Sequence, residues 1–223
     1  MPARPRATPR RPASSPTPSR PEPARPSFSL KPTKNFMPRV PLLPEHPEDP
    51  AAKALFDEVR RAQGPGFHMP HLYRVLGTAP EMFRGWLDFA WPLRLKAQTA
   101  RPLRELLILR GAQVAGTAYE WAHHVPMATA AGVSDAQIDA LADWHTSSLF
   151  DAQERAVLQL AEEVTRGPAA SEATVAQLRT CGFDDAAVVE LVLTASFYVC
   201  VSRFLQSMNV ELEPGYDKDL ARM

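Results

Sequence analysis

Residues 101–116, RPLRELLILRGAQVAG, are apolar nearly all the way round a helix. A helix without a polar face has to be enclosed on several sides, so the rest of the chain must supply the elements that enclose it. From residue 51 onward those elements also read as helices. DPAAKALFDEVRRAQG opens on Asp49 and Pro50, closes on Gly64, and places Ala51, Ala54, Leu55 and Val59 on one face. No segment alternates with the two-residue period of a strand, and Val and Ile fall inside helical patterns. The predicted fold class is all-α, with about eight or nine helices.

The punctuation between these helices is chemical. MPHLYRVLGTAP is a short helix closed by Gly77 and Pro80, and PEMFRGWLDFAWPLRLK is amphipathic with inward aromatics, kinked or ended at Pro92. Thr99 is placed to cap the apolar helix, with Pro102 in its first turn. Gly116 and Thr117 mark a turn into TAYEWAHHVPMATAAG, which Gly132 ends. Ser134 with Gln137 and Asp151 with Glu154 form capping boxes, and Ser171 caps a further helix ending at Gly182. The last helix covers about Asp184 to Met208. Its uncharged run, Leu191 to Ser202, is 12 residues, too short to span a bilayer. A faint internal repeat aligns Glu105 with Glu190.

The first fifty residues differ. They hold 15 of the chain's 23 prolines, and their only acid before Glu45 is Glu22. Proline blocks helix and little here is apolar, so residues 1–36 are expected to be a disordered Pro/Arg-rich tail. The compact domain is expected to cover 37–223. No apolar signal core is present, and the proline density is incompatible with an amphipathic presequence. Lys and Arg total 25 against 25 Asp and Glu, so no nucleic-acid or membrane partner is indicated. Cys181 and Cys200 fit no close-spaced redox or zinc pattern and read as reduced core thiols suited to the cytoplasm.

The polar exception in this apolar chain is YEWAHH, Tyr119 to His124. Glu120 and His124 lie four apart on one helix face, and His123 lies nearby. A carboxylate beside an imidazole can hold and pass a proton near neutral pH. Glu105, among Leu103, Leu106, Leu107, Ile108 and Leu109, is a carboxylate that must find a donor or stay protonated. A helical hairpin about Gly116 brings Glu105 towards the Glu120/His124 face. Tyr119 and Trp121 either flank the site or are core whose polar edges satisfy it. Glu120-x-x-His123 has the form of half a di-iron site, but no second such motif exists, and His68 and His71 fall in a Pro-rich turn. No metal and no cofactor are expected.

RELLILRGAQVAGTAYEWAHHVPMATAAGVSDAQIDAL is similar to the carboxymuconolactone decarboxylase family, which has the alkylhydroperoxidase D-like fold. VPLLPEHPEDPAAKALFDEVR, PHLYRVLGTAPEMFRGW and YVCVSRFLQSMNVELEP resemble flanking parts of its longer members, extending the likeness over about residues 38 to 214. The resemblance implies a helical trimer or hexamer with a site near a subunit interface. Peroxidase members carry Cys-x-x-Cys between a glutamate and a histidine. Glu105 and His124 correspond to those flanking residues, but Thr117 and Glu120 stand where the cysteines would be. A thiol peroxidase has no nucleophile here.

The decarboxylase branch implies acid/base chemistry instead. Glu120 and His124 are then the proton-handling pair, with Glu105 orienting His124 or taking a proton itself. His123, Trp121 and Arg110 are assigned to substrate contact, with Arg110 or Arg203 as the carboxylate holder on chemical grounds alone. The expected function is a cofactor-free, lyase-like enzyme acting on a small carboxylated lactone or related carbonyl compound. The alternatives are a thiol-linked peroxidase and a non-catalytic oligomeric ligand-binding protein.

Overall fold

The computed structural model describes residues 38–223; the expected tail, residues 1–36, lies outside them. Among the described residues there are nine α-helices, two 3₁₀ segments and no strands. The apolar helix, α4 (Arg101–Ala115), is the central element. It packs against α5 (Ala118–Ala131), α7 (Ala152–Arg166) and α9 (Asp185–Met208). One side of it, Leu103, Leu107 and Ile108, joins a core cluster with α7, α8 (Glu172–Thr180) and α9. The opposite side, Leu106, Leu109 and Ala112, joins a second cluster with Trp121, Ile138, Trp144 and Leu158. This double burial is why the helix carries no polar face.

A third cluster unites α1 (Pro50–Gln63), α2 (His71–Leu76) and α3 (Pro80–Leu95) with Phe197, Val201 and Leu205 of α9. Gly77 allows this packing, because a Cβ there would lie 2.8 Å from a ring carbon of Phe56. The caps follow the sequence. Asp49 accepts from the amide of Ala52, both capping boxes are complete at α6 (Asp135–Ala140) and α7, and Gly116 turns α4 into α5 at φ 67°. After α9 the chain runs back over the bundle and ends in a 3₁₀ segment, Asp217–Arg222, which rests on α5.

Several local expectations are corrected. α3 continues through Pro92 to Leu95, since a proline removes one amide donor but leaves the following turn free to form. Thr99 does not cap α4 through its side chain. Instead, the amides of Gln98 and Thr99 donate to Glu190 of α9, each at 2.8 Å. Glu190 is therefore a helix anchor, unlike Glu105, and the two positions share no role. Cys200 is exposed and is no core thiol, whereas Cys181 is half-buried and packs against the core cluster of α7, α8 and α9. Cys200 sits on the outer face of α9, and Cys181 ends α8. The whole of α9, 24 residues, is long and apolar enough to cross a membrane, although its uncharged run is short. Its inner face is core, while Val189 and Leu193 are exposed at 56% and 40%.

Candidate functional site

Helix α5 brings the YEWAHH cluster over the middle of α4. Its four-residue spacing sets Glu120 and His124 one above the other on a single face, and both are buried. The turn at Gly116 folds this face onto α4, where Glu105 is fully enclosed. His124 Nδ1 lies 2.8 Å from Glu105 Oε2. His124 Nε2 lies 3.4 Å from Glu120 Oε2. Arg101, one turn before Glu105, donates from Nε to Glu105 Oε1 at 2.6 Å. The four side chains form a continuous series: Arg101, Glu105, His124, Glu120.

The two carboxylates at either end of the imidazole are tuned in opposite directions. Burial pushes Glu105 up, but His124 and Arg101 outweigh it and hold the carboxyl below its ordinary range. Glu105 is thus an ionised acceptor, which places the proton of the His124–Glu105 bond on Nδ1 and turns Nε2 towards Glu120. Burial also pushes Glu120 up, and the pull of His124 and His123 does not cancel it, so this carboxyl stays above its ordinary range. Pairs of titratable groups driven apart in this way are suited to separate acid and base roles.

The series opens on a cavity of about 630 Å³. Glu120, His123 and His124 line it from α5, Trp86, Trp91 and Arg94 from α3, and Phe197 and Tyr198 from α9. Tyr198 meets His124 edge to face at 5.0 Å between ring centres, and burial keeps its phenol well above the ordinary range. The remaining wall comes from the C-terminal segment. Glu213 accepts from Tyr119 Oη at 2.8 Å and from the His71 amide at 2.6 Å, and its other oxygen lies 2.7 Å from His123 Nε2. Burial raises the Glu213 carboxyl, but His123 and the His71 amide hold it at about 2. His123 is stacked between Tyr119 and Tyr216, at 4.4 and 4.2 Å.

The structure brings Glu105, Glu120 and His124 together and puts His123 on the cavity wall. Three expected substrate contacts are corrected. Trp121 is fully buried in the core, with its indole N–H donating to the Asp219 carbonyl at 2.8 Å, because its side of α5 faces α4 and the C-terminal segment. Arg110 does not reach the cavity. It is paired with Glu162 of α7 and donates from Nε at 2.8 Å. Arg203 is exposed and off the cavity wall. Neither cysteine lines the cavity.

Sequence reasoning missed Arg101, Arg94 and Glu213. Arg101 was recoverable, since it lies four residues before Glu105 on one helix. Arg94 and Glu213 reach the site only through tertiary packing and leave no spacing signal. Among the described residues, no group of three or more His, Cys, Asp or Glu side chains is arranged to hold a metal ion.

Residues 80–163 match the model of the carboxymuconolactone decarboxylase family. No curated protein matches the chain. An uncharacterized peroxidase-related protein from Silicibacter superposes with a TM-score of 0.68 at 19% identity, covering 83% of this chain and 98% of that one. The debrominase Bmp8 in complex with 2,3,4-tribromopyrrole gives 0.65 at 18% identity over 77% and 90% of the two chains. A putative antioxidant defence protein AhpD from Agrobacterium tumefaciens gives 0.57 at 21% identity over 62% and 95%. At these identities the likeness is one of fold.

Proposed function

We propose, from the match of residues 80–163 to the carboxymuconolactone decarboxylase family model, that the chain is a cofactor-free acid/base enzyme with a carbon–carbon lyase reaction. Its substrate is a small carboxylated lactone or a related carbonyl compound. One observation carries the reading: the buried series Glu105–His124–Glu120 ends on a cavity walled by aromatic rings.

The chemistry follows from the two tuned carboxylates. When a carboxylate leaves as carbon dioxide, the electron pair of the breaking bond stays on the ring carbon and spreads into the conjugated carbonyl. Glu120, whose carboxyl burial pushes above its usual range, delivers its proton to that carbon. Glu120 is left as a carboxylate; His124 Nε2 takes up a proton from water entering the cavity and passes it to Glu120, and Glu105, bonded at Nδ1, fixes the ring and stabilises the transient imidazolium. A thiol peroxidase route finds no support, because Cys181 and Cys200 lie off the cavity and Thr117 and Glu120 occupy the family's thiol positions.

Nuclear magnetic resonance in D₂O checks this with a panel of unsaturated lactone acids and ring keto acids. The expected result is enzyme-dependent carbon dioxide release, with deuterium placed on the ring carbon. A protein that is thermally stabilised by panel members, yet neither decarboxylates nor exchanges them, would be a ligand-binding protein and end the enzyme reading.

A homo-oligomer, trimer or hexamer, is part of the same proposal. Met82, Phe89 and Leu95 on α3 are 69%, 42% and 69% exposed, and Val189 and Leu193 extend the apolar surface on the neighbouring α9. Native mass spectrometry at micromolar protein should show the assembly, and a lone monomer would remove it. A reducing cytoplasm suits the two free thiols. Neither a nucleic acid nor a membrane partner enters the proposal.

A further inference from the structure

We propose that Arg94 holds an anionic group of the guest, a carboxylate on a flat ring, and thereby sets which atoms meet Glu120 and His124. The inference rests on the acid/base reading of the same cavity. Arg94 occupies the last turn of α3 and is half-buried in the cavity wall. Its backbone is fixed from outside the helix. Arg101 Nη1 donates to its carbonyl at 2.9 Å, and Arg104 donates to the carbonyl of Leu93.

The Arg94 side chain is poorly satisfied. Among the described residues its hydrogen bonding is one contact, from Nη2 to the Met127 sulphur at 3.2 Å, and a thioether is a weak acceptor. No carboxylate lies within ion-pair reach of it among those residues. Other enclosed or partly buried arginines are satisfied: Arg60, Arg84, Arg101 and Arg110 pair with Glu45, Glu58, Glu105 and Glu162, and Arg74, Arg104 and Arg155 donate to backbone carbonyls. A half-buried guanidinium with no anion beside it keeps donors free for one.

The other acids of the cavity are not available to Arg94. Glu45 accepts from Arg60 and the Met69 amide, and Glu213 accepts from His71 and Tyr119. Glu120 faces the same cavity and is pulled on by the Arg94 charge from a distance, but makes no ion-pair contact with it. The missing partner is therefore an anion supplied from outside. The planar fork of arginine matches a carboxylate through two parallel N–H···O bonds. Trp86, Trp91, Phe197 and Tyr198 offer flat apolar walls beside it. A cavity of about 630 Å³ is of the size that small organic ligands occupy.

Isothermal calorimetry with benzoate and 2-furoate, against the neutral benzamide and 2-furamide, tests the inference without requiring turnover. Wild type should bind the acids at least about tenfold more tightly than the amides, the scale of a charge-assisted bond. Arg94→Met should lose that preference while binding the amides unchanged, and Arg94→Lys should recover part of it. Arg203→Met should behave as wild type. If Arg94→Met melts early, the wild-type preference and the lysine variant decide. Equal binding of acid and amide by wild type, a preference that survives in Arg94→Met, or no carboxylate binding at millimolar concentration would each overturn it. Because calorimetry reads binding alone, a failed anion clamp leaves the proton chain standing. A Glu120→Gln variant that kept full turnover would remove the proton chain and leave the clamp.

Discussion

Glu120→Gln is expected to lower turnover by about 10²–10⁴-fold while leaving the melting temperature at neutral pH close to that of wild type. Glutamine keeps the shape of the side chain and can neither give nor take the transferred proton. Glu120 is buried, with His124 Nε2 at 3.4 Å as its ion-pair contact, so the amide replaces a group that burial already favours in its neutral form. The sign of the pH effect separates this variant from a merely damaged one. A carboxyl raised above its unfolded value stabilises the fold below the unfolded pKa, and that contribution is lost as pH rises through the folded value. Wild type should therefore lose stability through that range, and Glu120→Gln should not. His124→Ala should lose turnover equally but also lose stability, because Glu105 is left enclosed without its imidazole. Full activity in both variants, measured on whichever panel compound reacts, would sink the acid/base reading.

Glu162→Ala is expected to be the most damaging single truncation for the fold. Glu162 is buried on α7, where it accepts from Trp144 Nε1 at 2.8 Å and pairs with Arg110 of α4 and Arg166. Removing it strands the largely enclosed Arg110, and breaking one side of a buried pair costs about 3–5 kcal/mol. For a domain of this size the melting temperature should fall by about 6–20 °C. Burial raises the Glu162 carboxyl, but Trp144 and Arg110 outweigh it and hold it at about 2. Its contribution is thus present above the ordinary carboxylate pKa and is lost as pH falls from there towards about 2. Thermal melts of wild type should show this acid loss, and the difference between wild type and Glu162→Ala should shrink below pH 4.5. A melting point within 2 °C of wild type at neutral pH would refute the assignment.

The fold was readable because its helices are marked by local chemistry. Asp49, Ser134, Asp151 and Ser171 cap as their positions require, and the all-round apolar α4 could only be central. Glu105, Glu120 and His124 were readable together because two periodicities and one glycine turn determine where they meet. Trp121 was misplaced because its neighbourhood to Glu120 in sequence was read as neighbourhood in space, and Arg110 because it was assigned on chemical grounds alone. A helix turns about 100° per residue, so Trp121, next to Glu120, faces the core, and Arg110 points to α7. Arg94 and Glu213 were invisible because their importance depends on what other elements fail, or manage, to place opposite them.

The cavity wall beyond the bundle is built by the stretch after α9, in which Glu213 and Tyr216 grip His123, Tyr119 and the start of α2. None of these contacts touches the Glu105–His124 bond. The stretch after α9 still shapes the cavity wall and, through His123, bears on Glu120 as well, so a change at Glu213 is felt by the reacting carboxyl.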